Sequence, residues 1–233
     1  MLQLLALLPL CLSSPSLEVV FDWSHLPHLP IAWPNSSWAV LHGDKKASVI
    51  GIKVQQGRVI LTLPRWHGNS HPLNLAELSA PPGLQPQPSA PSLRPFPSWE
   101  AQKLGDCSAL QSVQSMKLEE EEGMMWIPDM GRKTRGRSPG CPAKLVMVSL
   151  ATGAFMHSHT FPRTVVPSTG SFLNDIALNV AKVEDKMAYI SDSDRGLLVV
   201  FSLKKDRSWT VSHSSMRADL RGATFSFINP PAR

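Results

Sequence analysis

The sequence predicts an all-β fold of the β-propeller type, and three observations carry that reading. One layout recurs three times along the chain. The apolar runs inside it are short and rich in Val, Ile and Leu. Finally, 21 Pro and 14 Gly among 233 residues punctuate the chain against long helices. With 42% hydrophobic and 18% charged residues, the composition suits a globular domain with a core and excludes a disordered tail or a fibre.

The repeated layout is an apolar run, a polar turn, and a second apolar run that ends in a polar residue or Pro. It spans Ser48–Trp66 (SVIGIKVQQGRVILTLPRW), Val113–Gly131 (VQSMKLEEEEGMMWIPDMG) and Ile176–Gly196 (IALNVAKVEDKMAYISDSDRG). Aligned on Leu63-Pro64-Arg65, Ile127-Pro128-Asp129 and Ile190-Ser191-Asp192, the segments recur at intervals of 64 and 63 residues. Each reads as strand, tight turn, strand, connection, strand. Leu145–Leu150 and Leu197–Leu203 are third strands covered on both faces, and Ala154–Phe161 and Trp209–His213 supply fourth strands. Ile176–Val183 alone passes for an amphipathic helix, but its place in the repeat, matching Ile52–Val54 and Met116–Leu118, favours a strand. Four-stranded units repeated radially make a propeller. The inner strands are expected near Ile60, Trp126 and Tyr189, in units of about residues 46–78, 110–162 and 172–213 within an incomplete propeller over 17–233. About three and a half units fit this length, so either the chain is a fragment of a longer ring or another chain fills the gap.

Residues 1–16 read as a secretory signal peptide: Met1–Leu12 is almost wholly apolar and gives way to Ser13, Ser14 and Ser16, with cleavage after Ser13 or Ser16. A buried N-terminal strand or helix is the competing reading, favoured by the lack of Lys or Arg ahead of the apolar run. A secreted, extracellular chain would lose Cys11 and keep Cys107 and Cys141. A disulfide between them closes a loop worth roughly 3 to 4 kcal/mol in the chain-entropy model; the alternative is two buried free thiols. Asn35-Ser36-Ser37 is the one N-glycosylation sequon, suiting a surface loop. Beyond the first dozen residues no apolar stretch approaches the ~20 needed to span a bilayer. A net charge of +5, scattered along the chain, is too weak for nucleic acid binding.

Residues 79–98, with seven prolines, read as an extended surface connection, or more sharply as a ligand for a proline-binding domain. The four cations of Arg132–Arg137 read as a solvated loop with polyanion binding as the sharper alternative, and Glu119–Glu122 as an exposed hairpin turn. No nucleophile elbow, phosphate loop or H-E-x-x-H is present, so no catalytic residue is assigned. His157 and His159 project on one face of a strand but lack a nearby third metal ligand.

Motifs in order then resemble those of the major royal jelly/Yellow protein family: Val59–Trp66 (VILTLPRW) with His71–Leu78 (HPLNLAEL), Pro97–Trp99, Cys107–Val113, Met125–Gly131 (MWIPDMG), Cys141–Leu150 (CPAKLVMVSL), Leu173–Leu178 and Ala188–Leu203. The resemblance runs from about Val19 to Phe227 and implies a secreted six-bladed β-propeller of which about three blades are present. The family includes insect pigmentation proteins, royal jelly proteins and salivary proteins that bind biogenic amines in the central channel. The chain departs from it in three ways. It stops near Ser208–Ile228, where members continue for about three more blades that supply much of the amine pocket. It carries Glu119–Glu122 where many members have a further cysteine, and its Pro-rich insertion is longer.

Arg65, Asp129, Asn174, Asp175 and Asp192 sit at or beside the repeat anchors and are the candidate ligand-binding residues. A carboxylate there would pair with a ligand ammonium and an Asn would donate and accept; the competing account is that these side chains cap turns and tie neighbouring blades. No cofactor is expected. The alternative is Ca²⁺ held by Asn174 and Asp192, since Asn174-Asp175 with Tyr189–Ser193 also looks like the metal-binding blades of six-bladed calcium lactonases. The expected function is small-molecule binding. The alternatives are a lactonase-like or dopachrome-converting enzyme, and a structural or nutritional secreted protein.

Overall fold

A computed structural model describes residues 19–24, 26, 28–42, 47–55, 57–66, 72–81, 83, 85–87, 91–132, 140–181 and 184–217. Three four-stranded antiparallel sheets follow one another, each a meander in chain order. The first holds β1 (Gly51–Gln55), β2 (Arg58–Thr62), β3 (Leu75–Ser79) and β4 (Arg94–Pro95). The second holds β5 (Lys117–Glu119), β6 (Met124–Asp129), β7 (Lys144–Ser149) and β8 (Phe155–Thr160). The third holds β9 (Leu173–Asn179), β10 (Met187–Asp192), β11 (Leu197–Ser202) and β12 (Arg207–Val211). These are three blades of a propeller. A short helix, α1 (Ser36–His42), precedes them; the Trp38 amide donates to Asn35 Oδ1 at 3.0 Å and so caps it. Among the described residues no helix is long and apolar enough to cross a membrane. The signal segment 1–16 lies outside the described residues.

Turn chemistry sets the register. Gln55 faces Arg58 and Glu119 faces Met124, with Gly57 (φ 72°) and Gly123 (φ 60°) supplying the left-handed backbone these tight hairpins require. β6 shows the two-residue period clearly. Its Met124 and Trp126 point into the layer shared with the third sheet, while Met125 and Ile127 point into the layer shared with the first. Every β6 residue is therefore buried. The layer between the second and third sheets is built on Trp126, Leu145, Phe161, Phe172, Ile190 and Phe201, with the Trp126 and Phe201 rings edge to face at 6.3 Å.

Ile176 lies in a strand, paired with Ile190, and not in a helix. Ile60, Trp126 and Tyr189, however, lie in β2, β6 and β10, the second strand of each sheet. The strands that face one another across the centre are the first ones. Second strands are covered on both faces and paired on both edges, so they are the most continuously apolar. First strands have an open edge and stay half polar, which hides their central position from a hydrophobicity reading.

Two other segments differ from the sequence reading. β4 comes from the proline-rich segment and pairs with β3 through Ala76–Pro95 and Glu77–Arg94; Pro is tolerated there because β4 is an edge strand. Glu119 is not part of an exposed turn. It is buried, accepts a hydrogen bond from Trp126 Nε1 at 2.9 Å, and pairs with Lys186 of the third blade at 2.5 Å. Cys107 and Cys141 form a disulfide with Cα atoms 5.1 Å apart, which excludes the free-thiol reading.

Candidate functional site

β1, the segment leading into β5, and β9 converge on a cleft of about 380 Å³ lined by Ile50–Lys53, Gln114–Met116, Asn174 and Asp175. β1, β5 and β9 are all edge strands, so unpaired backbone groups border the cleft as well as side chains. Its shape is fixed by a relay between two blades: the Gly51 amide donates to Thr62 Oγ1 at 2.7 Å, and Thr62 Oγ1 donates to the Gln114 carbonyl at 2.9 Å. A Cβ on Gly51 would lie 2.7 Å from Thr62 Oγ1, so glycine is required for this approach. On the opposite wall the Asp175 amide donates to Ser191 Oγ at 3.0 Å and Asp175 Oδ1 accepts from the Ile176 amide at 2.9 Å, leaving an exposed carboxylate. Ser115 Oγ is enclosed and finds no hydrogen-bond partner among the described residues.

Asn174 and Asp175 are thus brought to the cleft. Arg65, Asp129 and Asp192 are not: they are 2%, 0% and 1% exposed and bonded to the chain itself, with Arg65 Nε left without a partner among the described residues. Asp129 accepts from the amides of Gln111, Ser112 and Gly131 at 2.8, 2.8 and 2.9 Å and pairs with Lys144 Nζ at 3.0 Å. Asp192 accepts from Ser171 Oγ and, at 2.9 Å, from the Phe172 amide. Both carboxylates therefore pin the segment that leads into the first strand of their own blade. Arg65 stands at the equivalent repeat position and reaches into the next blade, donating to the carbonyls of Gln111 at 2.7 Å, Gln102 at 2.6 Å and Leu110 at 3.2 Å. Burial pushes its guanidinium down to about 10, with Asp129 opposing the shift.

Arg132 is likewise buried. It donates to the carbonyls of Ser168 (2.8 Å) and Ser171, joining the second blade to the third. This is a tie between blades and not a solvated basic loop; residues 133–137 of that run lie outside the described residues. Asp129-x-x-Arg132 and Asp192-x-x-Arg195 form a motif repeated at 63 residues. The spacing was visible in the sequence, although the role of the arginines was not. Lys53, Gln114 and Ser115 were also missed. Only the relation of the three first strands places them together, and no local pattern marks it.

The calcium alternative does not fit. Both Asp192 oxygens accept hydrogen bonds from the chain, and Arg195 Nη1 stands 3.6 Å from one of them, placing a cation where a metal would have to bind. His157 and His159 turn toward one carboxylate: His157 Nε2 and His159 Nδ1 lie 3.1 and 3.0 Å from Asp206 Oδ1, across the second and third blades. A larger hollow of about 550 Å³ lies beside Pro97, Glu100, Asp106 and Thr152. The Asp106 carboxylate there is occupied by the amide and hydroxyl of Ser108.

The sequence profile described as "Major royal jelly protein" matches residues 111–227, half of the chain, including the second and third blades with Asn174 and Asp175. The chain belongs to the major royal jelly protein family. Among its curated relatives, the "Dopaminechrome tautomerase" of Drosophila melanogaster is 30% identical over 223 residues, covering 92% of this chain and 47% of the relative. "Protein yellow" of Drosophila erecta is 27% identical over 234 residues, covering 95% of this chain and 42% of the relative. This royal jelly family chain therefore spans about half the length of the curated relatives it matches. Among solved structures, an exo-beta-1,3-galactanase from Clostridium thermocellum covers 79% of this chain and 39% of its own at 12% identity with a TM-score of 0.38, too distant a likeness to carry any argument.

Proposed function

We propose that this royal jelly family chain is secreted and binds a small molecule, a biogenic amine, in the cleft between β1, β5 and β9. One observation carries the reading: an exposed carboxylate, Asp175, stands beside Asn174 in a cleft whose other walls include Ile50, Ile52 and Met116. An ammonium lodged against apolar walls loses part of its hydration and needs a counter-charge; a carboxylate supplies it through a charge-assisted hydrogen bond. Asn174 both donates and accepts, which suits a phenol or indole group on the same ligand. Arg65, Asp129 and Asp192 serve as positioning residues that hold the blades around the cleft.

The experiment is titration calorimetry of the chain with serotonin and dopamine, with and without EDTA. Binding that is indifferent to EDTA and weakened about fivefold by Asp175→Asn supports the proposal. Binding unaffected by that substitution overturns the assignment of the site. A second reading, tautomerisation of an aminochrome, is favoured by the 30% identity to the relative named for that activity. Accelerated decay of dopaminechrome absorbance, sensitive to changes at the cleft, would support it over simple binding.

A further inference from the structure

Of the residues lining the cleft, two are charged, and they carry opposite signs. Lys53 comes from β1 of the first blade and Asp175 from β9 of the third, with Gln114, Ser115 and Asn174 as the neutral polar lining and Ile50, Ile52 and Met116 as the apolar one. Lys53 is half-buried, and among the described residues no carboxylate lies within ion-pair distance of it, whereas Lys144 and Lys186 are both paired. A ligand bearing only an ammonium would gain from Asp175 and be repelled by Lys53. A ligand bearing only a carboxylate would meet the reverse.

Resting on the reading of this cleft as the ligand site, we infer that it selects a dipolar aromatic ligand, one that carries an ammonium and a carboxylate on the same molecule. The ammonium pairs with Asp175 and the carboxylate with Lys53. The aromatic body lies against the exposed apolar edge of β1 at Ile50 and Ile52, where burial of its faces adds the non-directional part of the affinity. Because the two charges stand on different blades, the ligand also bridges the first and third sheets.

Three indoles test this, because they share one ring and differ only in charge: tryptophan carries both groups, tryptamine the ammonium alone and indole-3-propionate the carboxylate alone. Calorimetry is run with the intact chain and with Lys53→Met and Asp175→Asn. Both substitutions lie at partly or fully exposed positions, and thermal melting confirms that each variant is folded. Tryptophan is expected to bind about fivefold more tightly than either singly charged indole. Lys53→Met should erase its advantage over tryptamine while leaving tryptamine binding unchanged or tighter. Asp175→Asn should erase its advantage over indole-3-propionate. Tryptamine binding as well as or better than tryptophan, with dependence on Asp175, would overturn the dipolar selection and leave the amine site standing. If none of the three indoles binds, both readings fall together.

Discussion

Arg65 and Asp129 grip the same residue from opposite sides: Arg65 Nη1 donates to the Gln111 carbonyl at 2.7 Å, and Asp129 Oδ2 accepts from the Gln111 amide at 2.8 Å. One comes from the first blade and the other from the second, so the segment that enters the cleft at Gln114 is held from both. Two charges that look like ligand contacts in the sequence instead set the position of the segment that lines the cleft.

Breaking this clamp should unfold the protein without acting selectively on ligand affinity. Asp129→Asn strands the Lys144 ammonium in the interior and should cost about 3 to 5 kcal/mol in urea unfolding. Asp175→Asn, on an exposed residue, should stay within about 0.5 kcal/mol of the parent chain.

Replacing Cys107 and Cys141 together with alanine should cost about 2 to 5 kcal/mol, since the bridge ties the segment leading to Gln111 to the turn before β7. Mass spectrometry of the intact chain should find neither cysteine alkylated until a reductant is added.

The Asp206 carboxyl gives an acid-side signature. Partial burial pushes it up, but the contacts and charges of His159 and His157 outweigh that and hold it below its ordinary value. A depressed folded value means that its stabilising contribution is present above the ordinary carboxyl range and is lost as pH falls through the folded value. Asp206→Asn should therefore lower the melting temperature near pH 6 and converge with the parent chain in strong acid, as followed by thermal melts from pH 2 to 7.

Trp126 fills the layer between the second and third blades and donates its indole N–H to Glu119. Trp126→Phe, which keeps most of the ring area but removes that donor, should cost about 1 to 3 kcal/mol, whereas Trp126→Ala should cost about 3 to 5 kcal/mol, both read by denaturant unfolding.

The blades were legible because a strand covered on both faces prints a dense apolar run, as Met124–Asp129 and Leu197–Ser202 do, and because the 63-residue spacing repeats it. The fourth strand of the first blade was not, since two residues, Arg94 and Pro95, carry no periodicity and sit in a segment whose prolines favour an extended coil. Asn174 and Asp175 were found through their place beside a strand start, and both reach the cleft. Arg65, Asp129 and Asp192 were found by the same logic and turned inward, because a sequence marks that a polar residue recurs at a strand end without saying whether backbone amides or solvent receive it. Lys53 left no trace at all: it is one polar position in a half-exposed edge strand, and its place opposite Asp175 in the cleft depends on β9, more than 100 residues away.

The most direct test of the cleft as the ligand site is methyl NMR of the chain labelled at Ile and Met, titrated with serotonin. The account expects the largest shifts at the exposed Ile50 and Ile52, with Met147 and Ile190 in the layer between the second and third blades unmoved. Shifts confined to methyls outside the cleft, or no shifts at millimolar serotonin, would contradict it.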